Sequence, residues 1–178
     1  MQDSFESIIK LVLFILPAYF ANSTPVLFGG GKHLDLGIMF IDGRRLFGDG
    51  KTIRGFFSGI LAGGIVGGLL GIILPFTSLY LLRNFWEYLL AGFALGTGAM
   101  CGDALGSFIK RRLAIPSGQP SFLLDQLTFL IVAIVFAYPF ADGLYSVPSL
   151  LFLFILTYFL HVGFNILANK IGLKKVPW

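Results

Sequence analysis

Residues 102–112 read Gly102-Asp103-Ala104-Leu105-Gly106-Ser107-Phe108-Ile109-Lys110-Arg111-Arg112, and Pro116-Ser117-Gly118 and Asp125 close the stretch. Two carboxylates, three consecutive cations and several small residues thus lie between two long apolar segments. In hydrocarbon an ionisable side chain costs roughly 2.5–3.5 kcal/mol or more. Such a grouping is tolerated where the charges pair, reach water or bind something charged. The polar chemistry of the chain is therefore expected here.

The surroundings decide the fold class. Of the 178 residues, 56% are hydrophobic and only 12% are charged, against about 25% charged in an ordinary soluble domain. That balance cannot cover a globular surface, and the class is all-α integral membrane protein. A lone cysteine, Cys101, excludes an intramolecular disulfide or a thiolate metal cluster.

Apolar runs predict five transmembrane helices, at about 5–21, 55–76, 86–101, 124–141 and 150–168, in one polytopic domain over 1–178. A cleaved signal peptide fits the first run poorly, because its start carries Asp3 and Glu6 rather than cations. In the second, Gly59, Gly63, Gly67 and Gly71 recur at four-residue spacing, with Gly64 and Gly68 beside them. That is a small-residue packing face, directed within the chain or toward a second copy in a homodimer. Two polar segments, 22–54 and 102–124, are expected as loops.

Cations set the orientation. Lys32, Arg44, Arg45, Lys51 and Arg54 lie in the first loop, Lys110, Arg111 and Arg112 in the second, and Lys170, Lys174 and Lys175 in the tail, together eleven of the thirteen Lys and Arg. By the positive-inside rule these segments are cytoplasmic and the N-terminus lies outside. Five spans satisfy this arrangement. Both polar loops then share one face, where they can converge on a single site.

Asp103 and Asp125 each fall near a predicted helix end on that face. Two adjacent carboxylates repel, and a divalent cation relieves the repulsion; oxygen ligands favour Mg²⁺ held by one or two carboxylates plus substrate phosphates. Two plainer readings stand beside this one: Asp125 can simply face a helix N-terminus, and Asp103 can pair with Lys110 or Arg111. The run Lys110-Arg111-Arg112 reads as topogenic or as phosphate-binding, with Lys a point charge and Arg a bidentate fork. Gly48-Asp49-Gly50-Lys51-Thr52 lacks the spacing of a nucleotide P-loop. It still offers backbone N–H groups and an ammonium to an anion, or else a tight turn with Thr52 as a helix cap. His161 and Asn165 share one face of the last helix and either bond a neighbouring helix or line the polar site. Asn22 and Ser23 can point into the same cavity.

Taken jointly, Gly102-Asp103, Ser107-Phe108-Ile109-Lys110-Arg111-Arg112, Pro116-Ser117-Gly118 and Leu124-Asp125-Gln126-Leu127 resemble the signature of the CTP:phosphatidate cytidylyltransferase superfamily. Lys51-Thr52-Ile53-Arg54-Gly55 is similar to its Lys-Thr-x-x-Gly stretch. The small size, Asp42-Gly43-Arg44-Arg45 and the Gly-Leu-Lys-Lys-Val-Pro-Trp ending resemble the archaeal branch. Two departures from the bacterial enzymes are visible: Asp103 precedes the Lys-Arg pair, and Asp125-Gln126-Leu127-Thr128 lacks an Arg and a further Asp.

The resemblance implies a Mg²⁺-dependent membrane enzyme in which 2,3-bis-O-(geranylgeranyl)glycerol 1-phosphate attacks the α-phosphorus of CTP, releasing pyrophosphate. It implies that Asp103 and Asp125 hold the metal and act with Lys110 in catalysis. Asn22, Lys51, Thr52, Arg54, Ser107, Lys110 and Arg111 would bind the nucleotide, and Arg44, Arg45 or Arg112 would receive the lipid phosphate. The same chemistry on acyl lipids is one alternative. A small transporter is another, but the outer loops hold almost nothing polar from which to build an entrance.

Overall fold

The computed structural model describes residues 2–121, 124–141 and 143–173, so Asp142, Lys174 and Lys175 lie outside the described residues. Among those described, the regular secondary structure is helical, with two isolated β-bridges in the connection before the second long helix. The helices are α1 (Gln2–Ser23), α2 (Pro25–Phe28), α3 (Ile53–Ile73), α4 (Phe85–Arg112), α5 (Leu124–Ala137) and α6 (Val147–Lys170).

Among the described residues, four helical segments have the length and apolarity to cross a membrane: Glu6–Phe28, Ile53–Phe76, Phe85–Arg112 and Val147–Lys170. The fifth apolar segment, Leu124–Phe140, is shorter than these. Its α-helix stops at Ala137 and gives way to a 3-10 turn over Tyr138–Phe140. Pro139 sits in that turn, and a proline cannot donate the backbone bond that would continue the α-helix.

The largest departure from the sequence reading concerns residues 102–112. They are not loop but the last three turns of α4, which runs unbroken to Arg112. The helix is started by Asn84, whose side chain accepts from the Glu87 N–H at 3.1 Å, while the Glu87 carboxylate accepts from the Arg83 N–H at 3.0 Å. Glu87 thus ties down the residue before the cap and also accepts from the Asn84 side-chain amide at 3.3 Å. The helix continues through the charges because each ionic side chain finds a partner and because small residues let neighbours close in. A Cβ on Gly98 would stand 2.6 Å from the Ala133 Cα of α5, and one on Gly102 2.6 Å from the Phe129 Cα.

The glycine face of α3 is used inside the chain. Gly63 and Gly67 meet Gly92 and Gly96 of α4, and a Cβ at Gly63 would stand 2.7 Å from the Gly96 Cα. The stripe is thereby consumed and presents nothing to a second copy. The core lies between α1, α4 and α5, where Leu11, Ile15, Leu95, Leu130 and Ala133 are almost completely buried. Helix α6 is different. Only Leu153 and Thr157 are buried along its length, and Thr157 bonds the Tyr19 hydroxyl at 2.6 Å.

The first predicted loop is also built rather than loose. After α2, residues 38–46 form a hairpin with Met39 bridged to Arg45, while His33 bridges Thr52 at its base. The hairpin is folded around Asp35, which is only 3% exposed. Its carboxylate accepts from the Arg45 guanidinium, from the N–H groups of Phe47 and Gly48 at 3.1 Å each, and from the Gly37 N–H at 3.1 Å.

Candidate active site

The hairpin and α4 are locked together at the C-terminal end of the helix. Helix C-termini leave carbonyls without intrahelical partners. The Arg44 guanidinium donates to two of them, Arg111 O at 3.2 Å and Arg112 O at 3.0 Å. Arg112 returns the contact, donating to Arg45 O at 2.7 Å and pairing with Asp42 at 3.2 Å. Its guanidinium also lies 4.6 Å from the centre of the Phe40 ring and 4.8 Å from that of Phe108, a geometry in which cation and ring attract. Gly48 completes the dock. Its φ is +88°, and a Cβ there would approach Arg111 Nη1 to 2.9 Å, so only glycine fits without displacement.

This dock carries Lys51 over α4. Lys51 Nζ lies 2.6 Å from Asp103 Oδ2. About two turns further along the helix, Lys110 Nζ lies 2.5 Å from Asp125 Oδ1, at the start of α5. Asp125 Oδ2 accepts from the Ser121 N–H at 2.8 Å, and Lys110 also donates to Gln119 O at 3.3 Å. Arg111 donates to Pro116 O at 3.0 Å, while its Nε is buried without a hydrogen-bond partner. Neither pairing considered for Asp103, with Lys110 or with Arg111, is formed; Lys51 from the other segment takes that place.

These groups line one cavity of about 570 Å³ between α1, α2, the 47–51 segment that follows the hairpin, α4, α5 and α6. Of the residues singled out in the sequence, Asn22, Lys51, Asp103, Ser107, Lys110, Arg111 and Asp125 line it, and so do His161 and Asn165. Thr52 does not; it caps α3, accepting from the Gly55 N–H at 3.1 Å. Arg54, on the first turn of α3, is also absent from the lining. Arg44, Arg45 and Arg112 are not brought to the cavity. Their guanidiniums are engaged by helix-end carbonyls, by Asp35 and Asp49, and by Asp42 with the Phe40 and Phe108 rings.

Sequence reasoning missed Asp35. Burial alone would raise its pKa, but the Arg45 guanidinium and the three backbone N–H groups outweigh burial and hold the carboxyl well below the usual carboxylate range. Its signal in the sequence is faint: an Asp two residues before a glycine, the spacing of an Asx turn.

The cavity suits a polyphosphate and a hard cation. Its two carboxylates come from different helices, each with a lysine beside it. Among the described residues no three His, Cys, Asp or Glu gather into a cage of their own. That donor set matches Mg²⁺, which takes one or two carboxylates and completes its shell with phosphate oxygens and water.

Comparison with known proteins adds identity to this geometry. Residues 5–178 match the family described as CarS-like: CDP-archaeol synthase. The CDP-archaeol synthase of Methanocaldococcus jannaschii is 48% identical, over 93% of this chain and 94% of its own. That of Pyrococcus horikoshii is 46% identical over 97% and 98%, and that of Methanococcus aeolicus 44% over 96% and 97%. A solved structure of an intramembrane enzyme for archaeal membrane lipid biosynthesis superposes with a TM-score of 0.78, at 36% identity, over 89% of this chain and 94% of that one. The chain belongs to the CDP-archaeol synthase family.

Proposed function

We propose that this membrane protein transfers the cytidylyl group of CTP to 2,3-bis-O-(geranylgeranyl)glycerol 1-phosphate, giving CDP-archaeol and pyrophosphate. The observation that carries the reading is one cavity lined jointly by Lys51, Asp103, Ser107, Lys110, Arg111 and Asp125, in a chain of this family. Nucleophile and leaving group are both anionic, so the protein's work is positioning and charge neutralisation.

Lys51, from the segment before α3, and Lys110, from α4, both line the cavity and bind the triphosphate as point charges. Arg111 contributes a planar donor fork, and Ser107 and Asn22 supply neutral hydrogen bonds. A phosphate monoester is largely ionised near pH 7, its second pKa being about 6, so no side chain need act as a general base. Asp103 and Asp125 are the residues that would hold Mg²⁺. That ion supplies charge neutralisation on the phosphates as negative charge develops. When nucleotide enters, the two lysines exchange a carboxylate partner for a phosphate one, and both carboxylates become available. The lipid phosphate meets the same cations, and its tails lie along the exposed face of α6 beside Leu160 and Phe164.

Five crossings, with Leu124–Phe140 as a short fifth, give an N-terminus outside and an active site facing the cytoplasm of the cell membrane. This orientation follows the clustering of cations on one side. The test is release of pyrophosphate from CTP by purified protein with the lipid phosphate, with and without Mg²⁺. Release that needs all three components supports the assignment; release without the lipid, or undiminished in chelator, refutes it.

A further inference from the structure

The hairpin tip carries a run that the catalytic assignment does not use. Leu36-Gly37-Ile38-Met39-Phe40-Ile41 contains no charged residue, and every member is exposed. Ile41 is 94% exposed and Met39 59%. The Gly43 N–H donates to Phe40 O at 2.9 Å, which puts Ile41 in the bend itself. Bends of this kind ordinarily hold Gly, Asn, Asp or Pro. Leu36, moreover, is held at a φ of +49° with its side chain outward, a conformation uncommon for any residue but glycine. A hairpin bathed in cytosol would gain nothing from this arrangement.

Where the tip lies along α4 supplies the occupant. Phe40 packs edge-on against Phe108, ring centres 5.3 Å apart. Phe108 follows the first residue of α4 by 23 positions, or about 35 Å at ~1.5 Å per residue. The hydrocarbon core is about 30 Å thick, and about 40–45 Å with the headgroups. With Phe85 at the outer edge of the hydrocarbon and α4 crossing it upright, the Phe40–Phe108 contact falls at headgroup depth. Leu105 on α4 and Leu113 just past its end are exposed apolar residues as well. The charged side of the hairpin, with Asp35, Asp42, Arg44 and Arg45, turns inward to its own ion pairs and to the helix end.

The geometry points to the 36–41 hairpin tip as a lipid-interface anchor: Ile38, Met39 and Ile41 insert among the headgroups of the bilayer and hold the dock that carries Lys51. The inference concerns the hairpin's surroundings and stands independently of the reaction assigned above.

The test is Ile41→Cys on a Cys101→Ala background, labelled with the environment-sensitive dye NBD and reconstituted into vesicles. Lys32→Cys on the same hairpin is the water-facing control, and Met39→Cys is a second reporter should one label perturb the bend. Blue-shifted emission at 41 and 39, quenched at least twofold more by nitroxide lipids labelled at the headgroup or upper chain than by lipids labelled near the chain end, is the expected result. Red-shifted, unquenched emission matching position 32 would overturn the inference. So would a blue shift that persists in detergent but vanishes on dilution, which would make a second copy of the chain the occupant. Strongest quenching from the chain ends would overturn the headgroup depth.

Discussion

Two sets of ion pairs sit at the same end of the bundle and behave differently. In the hairpin, Asp35 is fully enclosed and accepts from one guanidinium and three backbone N–H groups. Arg112 is held by a carboxylate, two carbonyls and two aromatic rings. At the cavity of about 570 Å³, Asp103 pairs with Lys51, and Asp125 with Lys110 and the Ser121 N–H. The first set is densely partnered, although Arg112 Nε and Nη1 make no hydrogen bond, and densely partnered charges hold shape. The second is sparsely partnered and faces room for a ligand, and such charges are available for exchange. The lesson is that cations of equal appearance in sequence divide by how many partners the fold supplies.

The comparison is broken most sharply at Asp103. Asp103→Asn preserves shape, and its turnover should fall on the order of 10³-fold while the melting temperature in detergent stays within a few degrees, as for loss of a group acting in the transition state. Comparable turnover in the variant would remove Asp103 from the site. Next come Lys51→Met and Lys110→Met, each expected to cost on the order of 10²-fold in kcat/KM for CTP. Lys51→Arg should recover part of the loss if charge alone matters there. A binding isotherm for CTP with each variant separates lost affinity from lost turnover.

Asp35→Ala strikes the densely partnered set. Arg45 keeps Asp49, but the N–H groups of Gly37, Phe47 and Gly48 lose their acceptor, at a cost of about 1–3 kcal/mol for a stranded buried donor. Hydrogen exchange over 35–48 should accelerate accordingly, and the KM for CTP should rise with little change in kcat, because Lys51 loses its support. The pH dependence has a definite sign. The folded carboxyl of Asp35 titrates below its unfolded value, so its stabilisation is complete above about pH 4 and is lost as pH falls from there through the lower folded pKa. Asp35→Asn should abolish that acid dependence of hairpin protection.

The smallest effect is expected at Arg44. Arg44→Gln keeps part of the bonding to the helix-end carbonyls and should change activity less than threefold, with about 1 kcal/mol lost in stability. A selective rise in KM for the lipid phosphate would instead place this arginine at the substrate, as the sequence alone suggests.

What the sequence displays depends on how local the signal is. The glycine stripe of α3 is periodic and is found against Gly92 and Gly96, inside the chain. The aspartates and the Lys-Arg run are visible by their cost in a membrane setting, and Asp103, Asp125, Lys110 and Arg111 do line one cavity, while Arg112 does not. The end of α4 is misread because Asp103, Ser107, Lys110 and Arg111 look like loop chemistry. Their partners, Lys51, Asp125 and Pro116, are distant or follow a turn, so the compensation that keeps the helix intact is invisible to a local reading. The hairpin hides for the same reason: Asp35 is ordinary until Arg45 and the N–H groups of Phe47 and Gly48 fold onto it.

Crystals grown with CTP and Mn²⁺ offer the most direct measurement, because the anomalous signal locates the ion without reference to turnover. The prediction is a peak within bonding distance of both Asp103 and Asp125, beside the triphosphate, and absent from Asp103→Asn crystals. Bound CTP with its manganese elsewhere, or with the ion unmoved in the variant, would contradict a pocket in which hairpin lysine and helix carboxylates hold nucleotide and cation together.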